Sequence, residues 1–178
     1  MGPKKSRTIP EETLPFIHQA VCIQMNLSDA YLFLAYLCSN DVTLTGFGAY
    51  SRDKSSMKWF YAKSILTYVS ERGSKVCIPD IQRPEIDTQG CIQCATAILN
   101  MERKLSEILQ DLQDLTLNIR DNETLEFTKE LIFKQRRIED RLAWEIDKLR
   151  TREEEEAQKK DDKDETGLQG SSRQKSRK

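Results

Sequence analysis

Residues 74–87 read Ser-Lys-Val-Cys-Ile-Pro-Asp-Ile-Gln-Arg-Pro-Glu-Ile-Asp. The stretch holds Pro79 and Pro84, carries no helical period, and separates two pairs of segments that do. Extended at ~3.3 Å per residue it spans ~45 Å. A helix of about 26 residues is ~39 Å long. The stretch can therefore return the chain to the far end of a bundle, which lets the helices on either side run parallel. The links between the first and second segments and between the third and fourth are roughly seven and six residues, and connections that short make antiparallel neighbours. The spacing thus predicts an all-α four-helix bundle with one long crossover between helices two and three.

The segments themselves follow from apolar spacing. In the first, Phe16, Ala20, Ile23, Leu27, Ala30, Leu34 and Leu37 alternate steps of four and three, which lines one face of a helix. Pro15 fits its first turn, where a missing N–H costs little. The second runs from about Gly46 to Glu71 along Phe47, Tyr50, Met57, Tyr61, Ile65 and Tyr68, with Lys54 interrupting, and Gly73 offers a C-terminal cap. Read without any family in mind, Met57 and Tyr61 are core residues. The third seam runs from Cys91 and Cys94 through Ile98, Met101, Leu105 and Ile108 to Leu115; the fourth runs from Leu125 through Thr128, Gln135 and Leu142 to Leu149. Asp121 or Asn122 can cap its start.

Composition narrows the function classes. The chain has 178 residues, with 28 Lys+Arg against 29 Asp+Glu, so it lacks the basic footprint of a nucleic-acid partner. No apolar run approaches the ~20 residues of a membrane span, and no membrane partner is expected. The start has no apolar signal region, and its Met1-Gly2-Pro3 opening suits myristoylation poorly. Five cysteines without a signal region suggest free thiols, a reducing compartment and a cytoplasmic site. The basic end, Arg173–Lys178, also fits a nuclear import patch. The single histidine, His18, rules out His-rich metal and catalytic sites and is expected on a helix surface. Cys91-x-x-Cys94 has no second Cys pair and lies on an apolar seam, so packing outweighs zinc or redox chemistry. Residues 1–10 read as a disordered basic arm and 11–150 as the bundle. Residues 151–178, with only Ala157 and Leu168 apolar, read as a disordered charged tail.

Several motifs resemble the ferritin family. Met25-Asn26-Leu27 resembles the I-N-L-E stretch of its first helix, and Asn40-Asp41-Val42-Thr43-Leu44 with Phe47 and Tyr50 its first turn, D-D-V-A-L. Glu71-Arg72-Gly73-Ser74 and Pro79-Asp80-Ile81-Gln82-Arg83-Pro84 resemble its crossover, R-G-G…Q-D-I-x-K-P, the most specific piece. Asn100–Leu105 and Asp147–Arg150 resemble segments of its third and fourth helices. The resemblance covers about residues 12–150 and implies a ferritin-like bundle, here with no fifth helix.

A ferritin-type catalytic subunit oxidises Fe(II) at a di-iron centre built from carboxylates and an imidazole. Carried over residue by residue, the paired second-helix glutamates fall on Met57 and Lys58 and the histidine on Tyr61. The first-helix glutamate falls near Ser28. Only Glu102 and Gln135 match the family's ligands, as vestigial metal residues. The mineral-nucleating positions of light-type subunits fall on Ala49, Arg52, Asp53 and Ser56, and the threefold-pore acids near Glu126 and Lys129.

The reading is a divergent iron-storage subunit with a degenerate centre that is not an enzyme, takes no cofactor, and binds iron weakly if at all. Its expected partners are a second copy in a self-dimer and active ferritin subunits in a mixed cage. The alternative is an interaction or scaffold protein on the same bundle without iron binding.

Overall fold

The computed structural model describes residues 8–77 and 90–173, with side chains through Lys160. Among them are α1 (Leu14–Leu37), α2 (Thr45–Glu71), α3 (Cys91–Asn118) and α4 (Asn122–Arg173). Two short 3-10 turns, Cys38–Asn40 and Val42–Leu44, join α1 to α2. The described residues form the expected all-α, ferritin-like bundle. α1 packs on α2 and on α3, and α3 packs on α4. Most of the stretch 74–87 that decides the topology lies outside the described residues.

Local chemistry sets each helix end. Asp41 accepts from the Thr43 backbone N–H at 2.8 Å and from its hydroxyl at 2.5 Å, closing the turn before α2. These bonds hold the Asp41 carboxyl below its ordinary range. Gly73 takes φ +66, a left-handed cap that lets the Ser74 N–H reach the Val69 carbonyl at 3.1 Å. Asp121 caps α4, accepting from the Thr124 N–H at 3.3 Å and its hydroxyl at 2.5 Å.

Arg72 ties the end of α2 to this cap. It donates to Tyr68 Oη at 2.5 Å and to Thr124 Oγ1 at 3.1 Å, and it pairs with Asp121 at 3.4 Å. The Tyr68 ring stacks on Phe127 with centroids 4.0 Å apart.

Three sequence-based expectations change here. The arm at 1–10 is not disordered throughout: Ile9 is 3% exposed and joins the core, and its N–H donates to Ser74 Oγ at 2.9 Å. Burying that one apolar residue anchors the stretch just before α1, while residues 1–7 lie outside the described residues. The tail from 151 continues α4 as far as Arg173. A run rich in Glu, Lys, Arg and Gln needs no core to stay helical when it extends an existing helix. Arg152 adds a bond to the Thr43 carbonyl at 3.0 Å and a pair with Glu156 at 3.3 Å. Finally, Leu14–Asn40 is by length and composition apolar enough to cross a membrane. That apolar surface serves the bundle, because α1 is enclosed by both α2 and α3 and Leu27 and Leu34 are fully buried.

Truncation after Arg150 should remove helical signal in far-UV circular dichroism while shifting stability by no more than about 0.5 kcal/mol, because of the described side chains it removes, 151–160, all but Arg152 are exposed. A large fall in melting temperature would show that the extension docks.

Candidate functional site at the bundle centre

The buried face of α2 runs through Ser51, Ser55, Lys58, Ala62, Ile65 and Val69, in alternating steps of four and three. Met57 and Tyr61, expected in the core, are only half-buried, and the Tyr61 hydroxyl donates to Met57 Sδ at 3.2 Å. The seam is turned by one residue because its members are small or, at Lys58, charged; a count of apolar residues passes over them. The small residues let α2 lie close to α1: Ser28 Oγ donates to the Ser55 carbonyl at 2.9 Å. That bond is where the structure places the serine standing for the first-helix glutamate.

Lys58 enters the centre of the bundle with none of its side chain exposed. Its Nζ donates to Glu102 Oε2 at 2.5 Å and to Gln135 Oε1 at 2.9 Å. The Gln135 amide nitrogen donates to the same Glu102 Oε2 at 2.6 Å and to the Glu102 carbonyl at 3.0 Å. Tyr31 completes the set, its hydroxyl donating to Glu102 Oε1 at 2.7 Å. Each of α1, α2, α3 and α4 contributes one of these side chains.

The structure therefore brings Glu102 and Gln135 together and joins them through Lys58 to one network. Sequence reasoning missed Tyr31. The available signal was its phenol on the buried face of α1, since a buried hydroxyl requires a partner.

The electrostatics follow from burial. Desolvation pushes the Lys58 ammonium below the ordinary lysine value, and the Glu102 carboxylate opposes that shift. Tyr31 is raised well above the ordinary tyrosine value, first by burial and then by the Glu102 charge, so it stays a neutral donor. Tyr50, alongside, is raised for the same two reasons in the same order. Glu102 thus has one oxygen taken by Tyr31 and the other shared by Lys58 and Gln135. One carboxylate, one amide and an ammonium do not fit a pair of irons, whose centre needs several anionic oxygens. Among the described residues no group of three or more His, Cys, Asp or Glu side chains is placed to hold a metal ion.

The remaining expected positions are peripheral. Ala49, Arg52, Asp53 and Ser56 are exposed on α2, with Asp53 the single acid among them. Lys129 pairs with Glu126 at 2.7 Å along the exposed side of α4, a contact worth little in water. His18, expected at the surface, is half-buried, and its Nε2 has no hydrogen-bond partner among the described residues.

The family called Ferritin-like domain matches residues 16–152, the whole bundle. The chain belongs to the ferritin family. Among its relatives, Ferritin, middle subunit, of Salmo salar is 29% identical over 56% of this chain and 57% of its own length. Ferritin light chain 1 of Mus musculus is 32% identical over 56% of this chain and 55% of its own. Bacterial non-heme ferritin of Staphylococcus epidermidis is 21% identical over 79% of this chain and 84% of its own. The chain thus spans little more than half the length of the first of these relatives. Ferritin-family proteins assemble into oligomeric cages.

Membership corrects one expectation. Met57, Lys58 and Tyr61 led the sequence reading to a chain that is not an enzyme. Ferritin relatives are iron-oxidising proteins, and the match to them extends across the bundle. The family match overturns the conclusion, drawn from those three side chains alone, that the chain is not an enzyme.

The central pair makes a quantitative claim. Lys58→Met should destabilise by about 3–5 kcal/mol, because it leaves Glu102 buried without its cation, and the double variant Lys58→Met/Glu102→Gln should recover most of that loss. Urea titrations of both variants check it; equal losses in the two would show that the charges are not coupled. The pH dependence has a definite sign. The unfolded chain holds the Lys58 proton more tightly than the fold does, so this group returns stability as pH rises from its folded value toward about 10.4. As pH rises toward about 10.4 the wild type should gain on the double variant, which lacks both charges.

Proposed function

We propose that the chain serves iron storage as a ferritin-type subunit whose bundle centre is degenerate, the position of the metal being taken by the Lys58 ammonium. The observation that carries this reading is the 2.5 Å contact between Lys58 Nζ and Glu102 Oε2. A cation at this position satisfies the buried carboxylate, as iron would, but it is covalently part of α2. Iron, as cargo, would then be handled at surfaces of an assembly.

Assembly is the second part of the proposal. Leu32, Phe33 and Tyr36 on α1 and Trp59 and Phe60 on α2 remain exposed. Large apolar side chains grouped on two neighbouring helices support an interaction face. The resemblance assigns the family's twofold contact to the outer faces of these helices. The proposed partners are a second copy of the chain in a dimer and, in a cytoplasmic mixed shell, other ferritin subunits.

Two measurements test the proposal. Light scattering should find a dimer for the pure protein and incorporation into shells on co-expression with a ferritin subunit that forms them. Exclusion from every mixed shell would favour the scaffold alternative. The variant Lys58→Glu should lose stability in metal-free buffer and regain it on anaerobic addition of Fe(II), because two buried carboxylates then require an external cation. The wild type should show no matching gain in melting temperature. An equal gain in the wild type would mean that iron displaces Lys58, and the degenerate-centre reading would fail.

A further inference from the structure

At the bundle end away from Arg72, the last turn of α1 meets the first turn of α3. Cys38 Sγ lies 3.1 Å from Cys91 Sγ, and both are free thiols. Cys94, one turn along α3, is a further thiol at this corner and, like Cys38, is buried. Core packing explains Cys94, which is fully enclosed. It does not explain a half-exposed Cys91 aimed at a fully buried Cys38. Cys91 lines a cleft of about 90 Å³ that Asp41, Thr43, Leu149 and Arg152 also border. A disulfide needs sulfurs about 2.05 Å apart, so the pair must close by about 1 Å, a movement within reach of side-chain rotation.

We propose that Cys38 and Cys91 form a peroxide-oxidisable dithiol, a modification site at which a reversible disulfide straps the end of α1 to the start of α3. The oxidant is a hydroperoxide, with hydrogen peroxide the simplest. Cys91 reacts first because it faces the cleft. Its sulfur attacks one peroxide oxygen, the O–O bond breaks, and the products are a sulfenic acid and water. Cys38 then attacks the Cys91 sulfur; the S–S bond forms, the S–O bond breaks, and the leaving hydroxide takes the Cys38 proton as a second water. Two thiols lose two protons and two electrons in all, and the peroxide is reduced to two waters.

Burial supports this order. It pushes the Cys38 thiol well above the ordinary value and the Cys94 thiol up to about 11, so neither is a ready first nucleophile. The strap would close the segment between residues 38 and 91, which contains α2 and the crossover, and so restrict the unfolded chain. It is independent of the reading of the bundle centre.

The test uses the full chain in metal-free buffer with stoichiometric hydrogen peroxide, followed by alkylation and non-reducing peptide mass spectrometry. The expected product is a Cys38–Cys91 cross-linked peptide lighter by two hydrogens, with a raised melting temperature, reversed by dithiothreitol. In Cys38→Ser, or in Cys38→Ala should the serine variant fold poorly, dimedone should trap Cys91 as its sulfenic acid. Cys77→Ser should react as the wild type does. The proposal is overturned if Cys38 and Cys91 both remain alkylatable while Cys77 is oxidised. A Cys38–Cys94 link, or Cys91 driven to sulfinic acid beside a free Cys38, would also overturn it.

Discussion

An ammonium taken wholly out of water must find its compensation inside the protein, and Lys58 finds it in Glu102 and Gln135. The requirement reaches every helix. Tyr31 fixes the height of α1 against Glu102, Gln135 fixes α4 against the Glu102 side chain and carbonyl, and Lys58 fixes α2. Sliding any helix by one turn would leave a buried charge or a buried polar atom without a partner, at a cost comparable to the stability of a domain. Leucine and isoleucine contacts above and below supply most of the burial energy, but they tolerate repacking. The polar centre selects one register among the alternatives that apolar seams permit.

The same arrangement connects the fold to the family's chemistry. A ferritin-type bundle places acidic side chains at its centre and neutralises them with metal. Here the central carboxylate is Glu102, and its counter-charge is the Lys58 ammonium. The Lys58 ammonium and the Glu102 carboxylate balance each other there. The exposed acid at Asp53 and the Glu126–Lys129 pair lie on outer faces, where water screens them.

The bundle was legible because helical period and link length are written directly in residue spacing. Gly73 and Asp121 are legible too, since a left-handed cap and an N-cap call for those residue types. The centre was harder. Glu102 and Gln135 could be placed by resemblance, yet the face of α2 was misjudged by one residue because Ser51, Ser55 and Lys58 look like solvent residues to any apolar count. Their burial is decided by partners on other helices, which spacing along one helix cannot report. Tyr31 was hidden for the same reason. The extension of α4 beyond Arg150 was missed because the lack of a core was read as a lack of structure, whereas helix propensity and pairs such as Arg152–Glu156 act without one.

We propose that Lys58 occupies the place of a metal. Crystals soaked anaerobically in Fe(II), with diffraction recorded on either side of the iron absorption edge, test it most directly. No anomalous peak should appear beside Glu102, and density should run unbroken from Lys58 Nζ to both Glu102 and Gln135. An iron peak bonded to Glu102, with the Lys58 side chain swung away, would contradict it.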